Sequence, residues 1–407
     1  MHQPCLLVLG GAGESPLLHD LTCRAVAAAR TRGMLVHLTD TAAGLRAVPA
    51  LHDLADTVSA VNFERPDECV AFALDRSAAG ERFDVVLGLR EFAQVSAAEV
   101  SAALGTPGNT PQAIRTVRSK DACRAALAAA GFSQPACRLC ADEADARDFL
   151  ASAPGPWIVK PRDAMGSVGV SRVDGLTDLP AALAALPSSE PFVAEQFVTG
   201  PEYSVEGVFV GGEPVVLAIT GKETLPPGFV EIGHVQPAVL DAATRAEAED
   251  TVVAALRVLG MSFGLFHVEF WLTGSGIVLG EFHGRSGGDW IHLLLAHTRG
   301  ADMYGMVLDD ALGRPVTRPP APSSAAAVRF FTPGPGRVMA IEGYEAAAAE
   351  PTVVHAELNV AVGDIIARIG ASHDRVGSFV VSATTAREAR QRAAALAASV
   401  RFVTAPA

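Results

Sequence analysis

The sequence is poor in lysine, although basic residues are not scarce. Among 407 residues, lysine occurs only as Lys120, Lys160 and Lys222, so 32 basic residues less these 3 leaves 29 arginines. Because arginine fills the ordinary basic positions of this chain, a retained lysine is a candidate for a task that needs a compact ammonium group. We therefore examine the surroundings of each lysine for chemistry.

An excess of positive charge and long apolar runs are also missing. The formal net charge of -13 argues against nucleic acid as a partner, because such binders carry a basic stripe. No apolar run approaches the roughly 18 residues that span a bilayer, and no basic leader precedes the first apolar segment. The single C-x-x-C, at Cys137 and Cys140, has no second pair to complete a zinc site. We expect a soluble, cytoplasmic protein that acts on small molecules rather than at a membrane.

The first quarter of the chain alternates short apolar runs with a helical pattern. "CLLVLG" (5–10) precedes a helical segment that begins near Pro16, and "MLVHLTD" (34–40) and "FDVVLGL" (83–89) are further strand candidates. This order is typical of an open parallel sheet with helices on both faces.

Two turn-rich stretches divide the rest of the chain. "GTPGNTPQ" (105–112) precedes a mixed central region, and the proline-rich "GRPVTRPPAPSS" (313–324) is predicted to be a linker. We therefore predict an N-terminal α/β domain (1–105), a central region (106–312) and a C-terminal α+β unit (325–407).

The segment "GIVLGEFHGRSGGDW" (276–290) carries three ionisable groups at alternate positions, Glu281, His283 and Arg285. Because strand side chains alternate, these three groups share one face, and His267 and Glu269 do the same in the preceding strand. The alternative to a functional site is an edge hairpin whose polar face simply meets water.

The loop between these two strands decides whether the two carboxylates meet. A three-residue loop, Gly274 to Gly276, would put Glu269 opposite Glu281, whereas a two-residue loop would put them on opposite faces. Two adjacent carboxylates repel each other unless a cation lies between them, and Mg²⁺ prefers oxygen ligands and phosphates. We predict the three-residue loop and a magnesium site, with Arg285 beside it to hold a phosphate or an oxyanion.

A second candidate region surrounds Lys160. This lysine ends an apolar strand and precedes a loop with Gly166 and Gly169, whose backbone amides could fold over phosphates. Glu195 and Glu202 flank a strand–turn–strand segment about 35 residues later. Such a segment could offer backbone groups to an adenine and a carboxylate to a ribose.

Taken together, these residues resemble the ATP-grasp superfamily of carboxylate-amine ligases. The resemblance implies an α/β ATP-grasp fold with an N-terminal open parallel domain, a nucleotide-binding region whose small lid covers about 120–195, and a C-terminal α+β subdomain. It implies ATP as the nucleotide and Mg²⁺, with Mn²⁺ as an alternative, as the ion. It further implies a homodimer.

The resemblance also implies a role for each residue. Glu269 and Glu281 match the magnesium carboxylates, and Arg285 matches the catalytic arginine. His283 stands where the superfamily usually has asparagine; because imidazole is a poor magnesium ligand, it coordinates weakly, favours manganese or contacts substrate. Glu195 and Val198 are expected beside the base and Glu202 on the ribose. The implied ATP-binding residues are Lys120, Lys160, Gly166, Ser167, Gly169, Glu195, Val198 and Glu202.

Within the superfamily, the chain is most similar to bacterial L-amino-acid ligases that make dipeptides in antibiotic pathways. Glu231 and His234 in "GKETLPPGFVEIGHVQPA" match residues around the amino-acid substrate, and "HGRSGGDW" resembles their signature after the metal strand. Gly288 and Asp289 lie in that signature, and Asp289 stands where those ligases can carry a bulky specificity residue. Lys222 is a weaker candidate for substrate binding.

The activity that this resemblance implies is ATP-dependent formation of an amide through an acyl phosphate, with release of ADP and phosphate. The rival enzyme is a biotin-carboxylase-like or purine-pathway carboxylase. A rival of another class is a nucleotide-binding regulator without catalysis. The substrate pair depends on pocket shape, which one sequence does not fix.

Overall fold

The computed structural model describes residues 2–13, 15–225 and 228–406. Its N-terminal region is the expected open parallel sheet, in the order β3-β2-β1-β4. The elements are β1 (Cys5–Leu9), α1 (Pro16–Thr31), β2 (Leu35–Asp40), α2 (Ala42–Ala47), β3 (Thr57–Ala60), α3 (Pro66–Ala78), β4 (Val85–Gly88) and α4 (Gln94–Leu104). A short 3-10 turn, Glu91–Ala93, follows β4.

Helices cover both faces of this sheet, as predicted. Helix α1 begins where Pro16 occupies its first turn and the Ser15 hydroxyl accepts a hydrogen bond from the Leu18 amide, a common start signal. Its alanine-rich side packs on one face of the sheet with Leu6 and Val8, while α3 and α4 pack on the other face with Leu7. Strand β3, with no fully buried residue, lacked an apolar signal and was not predicted.

The next region is a four-stranded antiparallel sheet flanked by helices. It contains α5 (Pro111–Arg118), α6 (Lys120–Ala129), β5 (Cys137–Cys140), α7 (Glu143–Ser152), β6 (Trp157–Pro161), β7 (Ser171–Val173), α8 (Leu179–Ala184) and β8 (Phe192–Gln196). The strands lie in the order β5-β8-β6-β7. Residues 162–170, which connect β6 to β7, are called the glycine loop below.

The remaining strands form one long sheet and one small one. The elements are β9 (Glu202–Val210), β10 (Glu213–Thr224), β11 (Glu231–Gln236), α9 (Ala242–Val258), β12 (Leu265–Thr273), β13 (Gly276–His283), α10 (Ile291–Arg299), α11 (Met303–Ala311), β14 (Ala325–Phe330), β15 (Gly336–Glu342), α12 (Tyr344–Ala348), β16 (Val353–Leu358), β17 (Ile365–Ile366), β18 (Gly377–Ala383), α13 (Ala386–Ser399) and β19 (Arg401–Ala405). Eight strands lie in the order β13-β12-β9-β10-β11-β14-β18-β16, and β17-β15-β19 form the small sheet. Strands on both sides of the proline-rich segment 313–324 therefore share one sheet.

The long sheet has an apolar face and a polar face. Phe266, Val268 and Phe270 of β12 pack with α9 in a buried cluster, which is the apolar face that alternation predicted. The polar face looks toward the four-stranded sheet. In the described part of the chain, no helix combines the length and the apolar character needed to cross a membrane.

The β12–β13 hairpin corrects the predicted loop. Thr273 pairs with Gly276, so the loop has two residues, not three. A β-bulge follows, because Phe270 pairs with Leu279 and Val268 with Phe282, leaving one residue of β12 against two of β13. The extra residue reverses the alternation of β13 beyond it, and Glu269 and Glu281 line the same cleft after all.

Glycine allows this bulge. A Cβ atom on Gly280 would lie 2.9 Å from the Cβ of Glu269 and 2.9 Å from its carbonyl oxygen. Those separations are too short for a side chain, so the close approach of the two strands needs glycine at this position.

Candidate active site

A cleft of about 890 Å³, open to solvent, separates the four-stranded sheet from the polar face of the long sheet. The predicted residues that line this cleft are Lys120, Lys160, Gly166, Ser167, Glu195, Val198, Glu202, Glu231, Glu269 and Glu281. The fold thus brings together residues that are up to 161 positions apart in the chain, from Lys120 to Glu281.

One side of the cleft is rich in cations. The Nζ atom of buried Lys160 lies 2.6 Å from Oε1 of Glu195, and Arg124 Nε lies 3.1 Å from the other oxygen of that carboxylate. Burial by itself raises the pKa of Glu195, but Arg124 and Lys160 outweigh burial and lower the pKa to about 2. Two cations therefore share one carboxylate, which leaves positive charge for an anion such as a phosphate.

Lys120 and Glu281 border this cation-rich side. Lys120 Nζ donates a 2.6 Å hydrogen bond to the Ala164 carbonyl oxygen in the glycine loop. The same Nζ lies 3.5 Å from Oε1 of Glu281, and Lys160 Nζ lies 3.9 Å from that oxygen. Both lysines predicted to contact phosphate are thus close to one predicted metal carboxylate.

The other side of the cleft is rich in acids. Lys222 Nζ is paired with Glu269, lies 2.9 Å from Oε1 of Glu202 and lies 3.4 Å from Oε1 of Glu231. The three carboxylates offer oxygens that all lie within 4.8 Å of one another. Burial, together with Glu269 and Glu231, raises the pKa of Glu202 to about 7 against the opposing effect of Lys222. One ammonium group thus serves three acids.

This arrangement differs in detail from the separate tasks implied for these residues. Glu202, expected at a ribose, shares its lysine with Glu231 and Glu269. Lys222, the weakest candidate in the sequence, is the most central of the four, with a side chain 2% exposed. Hard carboxylate oxygens suit Mg²⁺, so Glu269, with Glu281 on the adjacent strand, fits the implied ion.

No role was assigned to His267 from the sequence, and the structure places it behind Glu269. Its Nδ1 lies 2.9 Å from Oε2 of buried Glu206, and its Nε2 lies 3.5 Å from Oε1 of Glu269. Burial lowers the pKa of His267, but Glu206 and Glu269 outweigh it and raise the pKa to about 9. His267 is therefore a buried cation beside Glu269. The sequence feature that could have indicated this contact is the H-x-E pattern, which puts His267 and Glu269 on one face of the strand.

Sequence reasoning also missed Glu91, which lies just past the carboxyl end of β4. Its carboxylate accepts a hydrogen bond from Arg285 Nε, lies 2.9 Å from His283 Nδ1 and lies 2.8 Å from Arg118 Nη1. Burial raises the pKa of Glu91, but His283 and Arg285 outweigh it, so the pKa lies well below its usual range. The sequence could have indicated Glu91 through its position after the carboxyl end of a parallel strand, because open α/β sheets bind ligands at that edge.

Glu91 also constrains the two residues that it holds. His283 faces Glu91 through Nδ1, and its Nε2 lies 3.7 Å from Oε2 of Glu281. Arg285 follows the end of β13, and its Nη1 donates a 2.7 Å hydrogen bond to the Ser286 carbonyl. The N-terminal domain thus fixes the orientation of the predicted catalytic arginine.

Asp289 and His234, both predicted to bind substrate, contact each other. Asp289 Oδ2 lies 2.9 Å from His234 Nε2, and Asp289 adopts a left-handed backbone conformation with φ of 55°. Gly288 precedes it, and a Cβ there would meet open space.

The glycine loop has the backbone that its sequence suggested. Gly166, Ser167 and Gly169 have φ of 67°, 59° and 69°, values that favour glycine. The Ser167 hydroxyl donates a 3.3 Å hydrogen bond to the Phe229 carbonyl, so the loop reaches across the cleft toward β11.

Comparison with known proteins identifies the family. A family model described as "ATP-grasp domain" matches residues 153–293, and one described as "L-amino acid ligase C-terminal domain 2" matches residues 329–405. Among solved structures, an L-amino acid ligase from Bacillus licheniformis superposes with a TM-score of 0.81 at 22% identity over 100% of both chains. A carboxyaminoimidazole ribonucleotide synthase from Aspergillus clavatus, complexed with ATP, superposes with a TM-score of 0.76 at 20% identity over 98% of both chains. At these identities, the likeness shows a shared fold.

Curated relatives agree with this assignment. "Uncharacterized protein y4rH" of Sinorhizobium fredii is 30% identical over 355 residues, which covers 84% of this chain and 73% of that protein. Alanine–anticapsin ligase of Bacillus subtilis is 26% identical over 51% of this chain and 49% of its own length. Carnosine synthase 1 of Homo sapiens is 27% identical over 54% of this chain and 30% of its own length. The match to each of these two ligases thus spans less than half of that ligase.

The fold and the lysine-bearing cleft define an ATP-grasp protein. The chain belongs to the ATP-grasp superfamily of carboxylate-amine ligases, as its sequence predicted, and its residues 329–405 match a domain model named for L-amino acid ligases.

Proposed function

We propose that the protein forms an amide bond between the carboxylate of an amino acid and the amine of a second substrate, while ATP is converted to ADP and phosphate. The observation that carries this proposal is the cleft itself, where Lys120 and Lys160 face Glu281 across from the acid cluster of Glu202, Glu231 and Glu269. Cations on one side suit phosphates, and acids on the other suit a divalent ion or a substrate ammonium group.

In the first step, a carboxylate oxygen of the donor attacks the γ-phosphorus of ATP, and ADP leaves. Lys120 and Lys160 would stabilise the negative charge that spreads over the phosphoryl oxygens. A magnesium ion held by Glu269 and Glu281 would add further charge neutralisation when bound.

In the second step, the acceptor amine attacks the acyl carbon, loses a proton, and phosphate leaves with the former carboxylate oxygen. Arg285 would stabilise the tetrahedral oxyanion, and Glu91 keeps its guanidinium in place. The glycine loop would exclude water, which would otherwise hydrolyse the mixed anhydride.

The purine-pathway rival shares this fold but would activate bicarbonate instead of the carboxylate of an amino acid. Phosphate release should therefore be measured with ATP and Mg²⁺ in four arms: pairs of L-amino acids, single amino acids, bicarbonate, and no substrate. We expect release above background with particular pairs, and a product whose mass equals the sum of the two substrates less one water.

Two results would contradict the proposal. Phosphate release with bicarbonate but with no amino-acid pair supports the carboxylase, and nucleotide binding without turnover in any arm supports a regulator. The homodimer stays a prediction, to be measured by sedimentation.

A further inference from the structure

The C-terminal unit reaches the candidate site through one turn, residues 371–375. The Ser372 amide donates a 3.0 Å hydrogen bond to the Gly166 carbonyl in the glycine loop. The Ser372 hydroxyl lies 3.4 Å from Oε2 of Glu231, and Arg375 Nη1 donates a 2.9 Å hydrogen bond to the Glu231 carbonyl. A single turn therefore contacts both the glycine loop and the acid-rich side of the cleft.

Arg375 connects this turn to Asp289. Its guanidinium pairs with both carboxylate oxygens of Asp289, at 2.7 and 2.5 Å, and its side chain is 7% exposed. The guanidinium also lies 3.7 Å from the centre of the Phe330 ring. Such a bidentate pair on an aromatic face has little freedom to move. Asp289, which also contacts His234, is thereby fixed in its left-handed conformation.

The turn is held together by its own hydrogen bonds. The Asp374 carboxylate accepts from the amides of Gly370 and Ala371 at 2.9 and 2.8 Å. Arg375 Nε donates a 2.7 Å hydrogen bond to the Ser372 carbonyl. Ser372 and Arg375 therefore have fixed positions relative to each other, and a displacement of one displaces the other.

We propose that the 371–375 turn is the docking point of the glycine loop, and that Arg375 is the positioning residue that links this docking to the amino-acid side of the cleft. The first half rests on hydrogen bonds alone, and the second half rests on the proposed function. Closure of the loop over ATP and placement of Glu231 and Asp289 then depend on the same turn. The C-terminal unit is in this way part of the site.

Proline at position 372 tests the docking hydrogen bond. Ser372 is the first residue of a short 3-10 turn, and Ala371 before it is extended, with φ of -142° and ψ of 165°. Both conformations are compatible with proline at 372, and in Ser372→Pro the ring Cδ replaces the amide hydrogen and points at the Gly166 carbonyl oxygen, so the variant removes the donor and breaks the contact. Ser372→Ala keeps the N–H and loses the hydroxyl, so the difference between the two variants reports on the docking contact with Gly166.

The measurement is hydrogen exchange of amides 164–170 with a non-hydrolysable ATP analogue and Mg²⁺ bound. We expect protection in Ser372→Pro to be at least about fivefold lower than in Ser372→Ala, because at least one ordinary hydrogen bond is lost. Equal protection in the two variants would overturn the docking point. This assay needs no ligation, so its outcome is independent of the proposed function.

Arg375→Met tests the link to the amino-acid side. We expect the KM for amino-acid substrates to rise roughly tenfold, because a charge-assisted contact is lost and Asp289 is released. Arg375→Lys should recover part of the loss, because it keeps the charge but not the fork. Arg401→Met is the matched control, since Arg401 forms an exposed pair with Glu342 in the same unit.

If Arg375→Met caused only a general structural defect, it would not raise the KM for amino acids specifically. If Arg375→Met lowers kcat with unchanged KM values for amino acids, or if Arg401→Met gives the same shift, Arg375 is not a positioning residue. Should Arg375→Met fail to fold, Arg375→Lys carries the test, because an unchanged amino-acid KM in this variant would equally overturn the link. A wild-type protein that ligates no amino-acid pair contradicts the proposed function, while the exchange result still decides the docking point.

Discussion

Lys160 and Lys222 are both buried lysines on opposite sides of one cleft, yet their surroundings are opposite in charge. Lys160 shares Glu195 with Arg124, which gives two cations for one acid. Lys222 is surrounded by Glu202, Glu231 and Glu269, which gives one ammonium group for three acids, with His267 as a second cation behind Glu269. Lys160 can therefore still bind an anion, whereas the acids around Lys222 can still bind a cation. Neighbours, rather than residue type, thus decide what a buried charge can do.

The largest expected effect is at the junction of the two sides. Glu281→Gln removes the acid that faces both Lys120 and Lys160, and Arg285→Ala removes the guanidinium held by Glu91. We expect each change to lower kcat at least about 100-fold, because each group acts on charge that develops during reaction. Thermal melting should show that the fold survives. Full turnover in either variant would refute the site.

Lys222→Met should break the acid-rich side. It leaves three half-buried carboxylates without their ammonium partner, and the loss of one member of a buried ion pair costs about 3–5 kcal/mol. Mg²⁺ or Mn²⁺ should restore part of the free energy of unfolding, since either ion can replace the missing charge. Denaturant unfolding with and without the ions measures this. If the ions stabilise Lys222→Met no more than they stabilise the wild type, Lys222 is not the charge that balances these carboxylates.

Lys160→Met should act on the opposite side and in the opposite way. Glu195 keeps Arg124 as its partner, so the loss of stability should be smaller than for Lys222→Met. Affinity for ATP should fall roughly tenfold, because a charge-assisted phosphate contact is lost. Calorimetric titration with ATP compares the two variants directly. Equal ATP affinities in wild type and Lys160→Met would show that this side does not bind the phosphates.

The two sides should also differ in their response to pH. The pKa of Glu195 is lowered to about 2, so its stabilisation is present above about pH 4.5 and is lost as pH falls toward 2. The pKa of Glu202 is raised to about 7, so its contribution is present below about pH 4.5 and is lost as pH rises through 7. Unfolding at a series of pH values without metal should show the acid limb become shallower in Glu195→Gln and the limb near pH 7 become shallower in Glu202→Gln, while other shifted groups such as Glu91 keep part of the acid limb. A profile that neither variant changes would mean that other groups control it.

The smallest effect should come from an ion pair outside the cleft. Arg257 and Glu213 form a 2.7 Å pair, and their side chains are 58% and 65% exposed. Arg257→Ala should change the free energy of unfolding by less than about 1 kcal/mol, because water screens the pair. ATP affinity should be unchanged. A larger loss of stability would show that burial is not what separates the cleft pairs from surface pairs.

Much of the fold could be predicted because local patterns encode it. The capped start of α1, the apolar runs of β1 and β2, and the alternation that separates Phe266 and Val268 from Glu269 are all set by neighbouring residues. The prediction failed at the β12–β13 loop. A shared face for Glu269 and Glu281 was expected to need three loop residues, whereas the strands use two loop residues and a bulge at Gly280.

The partners of the site residues were largely beyond prediction. Glu91 lies 194 positions from Arg285 and Arg375 lies 86 positions from Asp289, and no local pattern connects residues so far apart. The acid cluster around Lys222 likewise joins three strands of one sheet. Strand pairing and domain packing decide such contacts.

The sequence by itself determined the family, the class of chemistry and, where no bulge interrupts a strand, the side of the strand that carries charge, because these depend on residue types and on a period of two. Only the tertiary structure decided which charges share a partner: two cations around Glu195, three acids around Lys222, and a C-terminal arginine on Asp289. The physical reason is that the strength of an ion pair depends on separation and burial in space, and spacing along the chain specifies neither.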